Sequence, residues 1–497
     1  MTRPPTRHLP RRALLLAAGA ALLSVTGCLV GPDYKEQQVL VHGQWVSIGA
    51  GKGPATTRST AVAAPAETVR WWRKFNDPLL DDLVGEAMTS NLDLAAATAR
   101  LRQARAQRGV AAGRLYPSVD AAGSYRRTGT GKDDDRNDNG AITTGSLGTT
   151  SGPRHDQYQL GFDASWEIDV FGGQRRAVEA ADAQIAANVA DVQDVRVSLA
   201  AEVAVNYFAL RSAQQRLAFA RQNLDLQRKS LEVTRRRFAG GLVSGLDIAQ
   251  AEAQIAGTES AIPAFEQAAR AAVFDLGLLL GREPAAVADL LALDAAPIPV
   301  TPPEVGVGLP SELLRRRPDV RRAEAQLHAA TANIGVATAD LFPRFTLTGS
   351  FGTESSKTKG LFNWTNSIWS FGPNVSWNLF DAGRIRANIE LAAAQRDEQF
   401  VVYRRTVLTA LHDAERALTA YDYEQRRREG LRSAVAANRR AVTLSQQLYA
   451  QGQTEFVNVL TAQAQLLNSE DALVQSDQQV AANLVAIYKA IGGGWEE

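Results

Sequence analysis

From Tyr158 the chain alternates: Tyr158, Leu160, Phe162, Ala164, Trp166 and Ile168 are apolar, while Gln157, Gln159, Asp163, Ser165, Glu167 and Asp169 are polar. A period of two predicts a strand with one greasy and one polar face. Phe171-Gly172-Gly173 breaks the pattern, and from Gln174 neither Gly nor Pro occurs before Gly240. Those about 66 residues predict a helix roughly 100 Å long. Within it Val203, Leu210, Leu217, Leu224, Leu231 and Phe238 are each seven apart, with Ala213 and Ala220 beside them. Such a seam supercoils against a neighbouring helix. Gly240-Gly241-Leu242-Val243-Ser244-Gly245 stops the rod, and Leu246 to Leu280 resumes it, with a kink expected at Pro263. Two long helices joined by a tight tip make a helical hairpin.

Upstream, Asp77-Pro78 opens one helical stretch to about Gly113, followed by a strand over about 115–127 and a polar loop, Thr128 to Gly152. With the strand at about 156–168 and the hairpin tip near 240–246, these elements form a first repeat, 79–281. Prolines 284, 297, 299, 302, 303 and 310 mark 282–310 as a linker. A second repeat, 311–491, follows it. Gly335-Val336 to Pro343 match Gly109-Val110 to Pro117 at an offset of 226, and Ser376-Trp377 onward match Ser165-Trp166 at 211. The second repeat predicts strands at about 344–353 and 368–380 and a tip near 451–456. Its seam is Ala414, Tyr421, Arg428, Val435, Val442 and Tyr449, broken by Arg428, and 492–497 is a short tail.

Strands of this length and alternation suit a tilted membrane barrel, with lipid outside and water inside. Half-buried strands of a soluble sandwich alternate in the same way and stay open on pattern alone. Four strands cannot close a membrane barrel, so in a membrane they must be pooled between chains. Two chains give eight and three give twelve, and a lumen for solutes favours the larger number. Trp166, Trp364, Trp369, Trp377 and Phe342 near strand ends suit an interfacial girdle.

A formal charge of +1 gives no support for a nucleic-acid partner. Residues 1–27 read as an export signal: Arg3, Arg7, Arg11 and Arg12 precede the apolar run Ala13 to Leu23, too short to span a bilayer. The sole cysteine follows it, in Val25-Thr26-Gly27-Cys28. This resembles the lipobox of bacterial lipoproteins, which implies acylation of Cys28 with palmitate-type chains. The segment 28–78 is then an extended, acylated N-terminal stretch. His8, His42, His155, His328 and His412 are scattered without metal spacing. Asp135 to Gly140 imitates a calcium loop but has Ser146 where the bidentate Glu belongs. Gly129-Thr130-Gly131-Lys132 lacks the Walker spacing. With no paired carboxylates and no nucleophile constellation, the expectation is no enzyme, no metal, no catalytic residue and no cofactor beyond the covalent lipid.

Leu309-Pro310-Ser311-Glu312-Leu313-Leu314-Arg315-Arg316-Arg317-Pro318-Asp319-Val320-Arg321-Arg322-Ala323-Glu324 resembles the signature of outer-membrane efflux lipoproteins of the TolC/OprM type, NodT-like subfamily. So do Val30-Gly31-Pro32-Asp33-Tyr34 after Cys28, and Trp71-Trp72 with Phe75 and Asp77-Pro78. The resemblance implies a mixed α+β membrane protein: a homotrimer with a 12-stranded barrel, four strands per chain, continuous with a long α-helical barrel. It implies an exit duct of a tripartite efflux system, with a periplasmic adaptor and an inner-membrane pump, of RND type, as partners. A duct for type I protein secretion and a non-conducting anchored scaffold are the alternatives. The resemblance places the gate and the adaptor seat at the two tips, at Gly240, Gly241, Ser244, Gly245, Asp247, Tyr449, Gly452, Thr454, Asn458 and Thr461. In the family acidic residues there ring a cation-sensitive aperture. Here Asp247 is matched in the second tip by Asn458, with Thr461 nearby, so tight cation block is not expected.

Overall fold

The computed structural model describes residues 29–37, 44–47, 60–62, 69–128, 155–292, 296–299 and 304–495. Cys28, the export signal and the loop with the calcium-like run lie outside them. In chain order the strands are β1 (Thr60–Val62), β2 (Ser118–Thr128), β3 (His155–Ile168), β4 (Glu304–Gly306), β5 (Arg344–Ser355) and β6 (Ser367–Ser376). The α-helices are α1 (Pro78–Ser90), α2 (Leu92–Gly113), α3 (Gly173–Ala239), α4 (Gly245–Leu279), α5 (Pro310–Arg316), α6 (Pro318–Ala339), α7 (Arg384–Ala450) and α8 (Phe456–Ala490). The paired lengths show the duplication: α3 and α7 each have 67 residues, and α4 and α8 each have 35.

Two compact units divide the chain. The first takes its described residues from 1–35, 105–184 and 328–398. It holds one antiparallel sheet in the order β2-β3-β5-β6. Register puts Ala121, Phe162, Phe351 and Trp369 in one row across the four strands, and Asp120, Asp163, Ser350 and Ser370 in the next. At its corners Trp166 Nε1 donates to the Leu115 carbonyl at 2.9 Å and Trp377 Nε1 to the Leu341 carbonyl at 3.0 Å. These two tryptophans therefore make the same tie back to the turn before the preceding strand, in each repeat.

In the same unit Arg176, 1% exposed, grips the segment that follows Cys28. Its guanidinium donates to the carbonyls of Val30 (3.1 Å) and Gly31 (3.3 Å), to Asp33 Oδ1 (2.6 Å) and to Glu179 Oε2 (2.8 Å). Tyr34 stacks on His328 at 4.4 Å. Gly31, at φ +88°, lies so close to Gly335 that a Cβ would stand 2.4 Å from its Cα.

The second unit takes its residues from 36–104, 185–327 and 399–497. Trp71 stacks on Tyr488 at 5.2 Å and Phe75 tilts against Phe208 at 4.9 Å, among side chains that are fully buried. Asp77 caps α1, accepting from the Leu79 and Leu80 N–H groups at 3.0 and 3.3 Å. Its other oxygen accepts from the Tyr207 hydroxyl at 2.5 Å. Arg317 donates to Asp319 and to the Ala490 carbonyl, and Arg322 to Asp191 and Asp194. The family-like motifs are thus staples of the core.

Several boundaries differ from expectation. The first helix divides at Asn91, which closes α1 through its N–H to Ala87 and caps the next helix by accepting from Leu94 N–H at 2.9 Å. Leu115 belongs to a turn, with its N–H on the Ala112 carbonyl, and β6 ends before Trp377. Residues 282–310 are more than a linker: they hold a 3₁₀ helix, Pro284–Ala292, and β4, which pairs in parallel with β1. As expected, α4 continues past Pro263 as one helix. On the first seam Phe238 is exposed, whereas Arg428 on the second is buried. Its long stem fills the seam position while the head reaches Asp477 at 3.8 Å.

Candidate functional site: an amphipathic sheet and two hairpin tips

One face of the sheet is apolar from edge to edge. Val119, Phe162, Phe351, Trp369, Phe371 and Val375 lie on it and are exposed. A contiguous apolar surface of this kind needs a cover. The opposite face carries Asp163, Ser165, Glu167, Thr346, Thr348, Ser370 and Asn374. No described helix is long and apolar enough to cross a membrane.

The two tips, both in the second unit, are built alike. Gly241 (φ +72°) and Gly452 (φ +77°) end their helices in the left-handed region. In the first tip Leu242 N–H donates to the Arg237 carbonyl and Gly241 N–H to Phe238; in the second Gln453 donates to Leu448 and Gly452 to Tyr449. This is the Schellman termination, which only glycine adopts without strain. Gly240 and Gly245 have ordinary backbone and flank the first turn.

Their side chains differ. Asp247 Oδ2 accepts from the Ser244 N–H at 3.0 Å and from its hydroxyl at 3.3 Å, so this carboxylate caps its own helix. In the second tip Asn458 Nδ2 donates to Thr454 Oγ1 at 2.8 Å and Thr461 Oγ1 to the Val457 carbonyl at 2.8 Å. Tyr449 is buried, 5.1 Å from Phe456 and 3.3 Å by its hydroxyl from Thr234 Oγ1.

Arg237 joins the tips and was missed by the sequence reading. Its guanidinium lies 4.6 Å over the Tyr449 ring and donates to the Tyr449 carbonyl. A Cβ on Gly452 would stand 3.4 Å from its Nη2. Nothing in an Arg-Arg-Arg run marks one member as the bridge.

Heptad spacing could have revealed a second feature. Arg221–Glu266, Arg228–Glu259 and Arg235–Glu252 pair α3 with α4 at 3.0, 2.6 and 2.7 Å, one rung per seven residues. At the offset of 211 the same ladder joins α7 to α8 as Arg432–Asp477 (3.7 Å) and Arg439–Glu470 (2.9 Å). Its third rung is neutral, Gln446 and Gln463. Both turn instead to Ser230 Oγ on α3, at 3.5 and 2.9 Å. Burial pushes the Asp477 carboxyl up and lowers the Arg428 guanidinium, each from its ordinary value.

Comparison with known proteins is decisive. The profile of outer membrane efflux proteins matches residues 83–282 and 309–493. The chain belongs to that family. The pyoverdine export outer membrane protein OpmQ of Pseudomonas aeruginosa is 32% identical over 480 residues, 96% of each chain. The solvent efflux pump outer membrane protein SrpC of Pseudomonas putida is 32% identical over 481 residues, 96% of this chain and 97% of that one. The solved outer-membrane channel OprN superposes with a TM-score of 0.83 at 34% identity, over 94% of this chain and 100% of that one. This efflux protein resides in the outer membrane of a Gram-negative cell and reaches into the periplasm. Its tips carry no cluster of metal-ligating residues among those described.

Proposed function

We propose that three copies of this chain pool their sheets into a 12-stranded barrel and their hairpins into a periplasmic tunnel. The assembly is a passive exit duct for small toxic compounds, joined by a periplasmic adaptor to an inner-membrane pump of the RND type. The continuous apolar face of the sheet carries this reading, together with the open edges at β2 and β6. Unpaired strand edges in lipid are prohibitively costly, and pairing with neighbouring copies removes them. A non-conducting scaffold has no use for such a face.

The tips supply the gate and the adaptor seat. Ion pairs hold the first hairpin together up to Arg235, whereas the second leans on α3 through the neutral contacts at Ser230 and Thr234. That seam is incompletely satisfied: both amide atoms of Gln227 and Gln463 Oε1 are buried without a partner among the described residues. Unsatisfied buried groups cost free energy, so the closed seam opens at modest expense.

Purified protein added to a planar bilayer is expected to give stepwise conductance; extraction from outer membrane without any conductance, even with loosened tips, would favour the scaffold. Cys28 carries the anchoring lipid, two residues from Val30 and its grip by Arg176. Cys28→Ser is expected to abolish labelling by radioactive palmitate, and label that persists would remove the anchor from this account.

A further inference from the structure

We propose that the turn between β5 and β6, residues 356–366, binds the phosphorylated headgroups of anionic lipid in the outer leaflet. The inference rests on the reading of the sheet's apolar face as lipid-facing. By chain order the turn lies at the sheet end away from helices α6 and α7, since β5 starts just after α6 and β6 ends just before α7. In a spanning barrel that end meets the outer leaflet.

The turn is held by local hydrogen bonds. Gly360 N–H donates to the Lys357 carbonyl at 2.9 Å, Asn366 Nδ2 to the Gly360 carbonyl at 2.8 Å, and Thr365 N–H to Asn363 Oδ1 at 3.2 Å. Lys357 N–H donates to Ser355 Oγ at 3.2 Å. Two short 3₁₀ turns result, Thr358–Gly360 and Trp364–Asn366. Gly360 sits closely against Ser355, since a Cβ there would fall 2.8 Å from the Ser355 Cβ.

This hydrogen-bonded turn displays exposed aromatic side chains. Phe362 is 87% exposed and Trp364 75%. The Trp364 ring lies 5.7 Å from Phe351, so it extends the apolar row of Phe351 and Trp369 beyond the strands. Beside the aromatics stand Lys357 and Lys359, both exposed, with no ion-pair partner among the described residues and no acid between Ser356 and Asn366. Glu354, just outside, already accepts from Gln157 Nε2 at 2.6 Å. Two ammonium groups without an ion-pair partner among the described residues, at the rim of an apolar aromatic surface, match an anionic amphiphile: acyl chains against Phe351 and Trp369, phosphate against the lysines. Continuity with the lipid-facing surface and this charge complementarity select a lipid over a soluble anion.

The test titrates the detergent-purified full chain with bisphosphorylated lipid A, its dephosphorylated form and inorganic phosphate, reading bound mass by native mass spectrometry. Bisphosphorylated lipid is expected to bind in preference to the dephosphorylated form. The variant Lys357→Ser/Lys359→Ser should weaken that binding roughly thirtyfold and abolish the preference, with conductance in planar bilayers unchanged. Phe362→Ser/Trp364→Ser should weaken both lipids alike. Equal affinity of the lysine variant and the wild type would overturn the proposal, as would inorganic phosphate displacing the lipid. Conductance lost in the wild type would instead sink the duct reading, so the two failures are told apart.

Discussion

Asp77→Ala is expected to destabilise the second unit by about 3 kcal/mol, the combined cost of a lost helix cap and a buried hydroxyl proton left without its acceptor. One Asp77 oxygen holds the first turn of α1 and the other receives the Tyr207 hydroxyl, whose ring is fully buried and which also accepts from Arg211 Nε at 3.0 Å. Asp77→Asn should recover much of the loss by keeping a cap acceptor. Thermal loss of helical circular dichroism in detergent measures all three; an alanine variant that melts with the wild type would refute the assignment. A pH signature accompanies it. Burial and the Asp77 contact push the Tyr207 phenol up to about 12. The folded state therefore holds its proton where the unfolded chain releases it near pH 10, so this stability is whole below pH 10 and is lost as pH rises toward 12. Roughly 2–3 kcal/mol is at stake, and Tyr207→Phe should lack that alkaline step.

Arg237→Ala is expected to raise conductance in planar bilayers severalfold. The bridge combines a cation–π contact with a hydrogen bond from a charged donor, together about 2 kcal/mol, or roughly a thirtyfold shift toward open tips. Arg235→Ala is the internal control. It breaks an exposed rung within one hairpin, so it should leave conductance near wild type and cost under about 1 kcal/mol. If the two variants conduct alike, the bridge between tips is not what holds the seam.

Much of the architecture was legible because it rests on local periodicity. The alternation from Tyr158 to Ile168 meant a strand with two unlike faces, and register then laid Phe162 beside Phe351 and Trp369 as one surface. The absence of Gly and Pro after Gln174 meant one long helix, and the offset of 211 carried the first tip onto the second. Boundaries slipped where a side chain acts on the backbone, as at Asn91, because capping geometry leaves no periodic trace.

By itself, then, the sequence determined the duplicated strand–rod–tip plan, the greasy face and the positions of both turns, since each follows from local periodicity or from the match of one repeat to the other. The tertiary structure alone decided which groups meet across the repeats. It chose Arg237 from three adjacent arginines to span the tips, and turned Gln446 and Gln463 toward Ser230. Those outcomes depend on helix rotation and on pairings more than two hundred residues apart, to which no local pattern is sensitive.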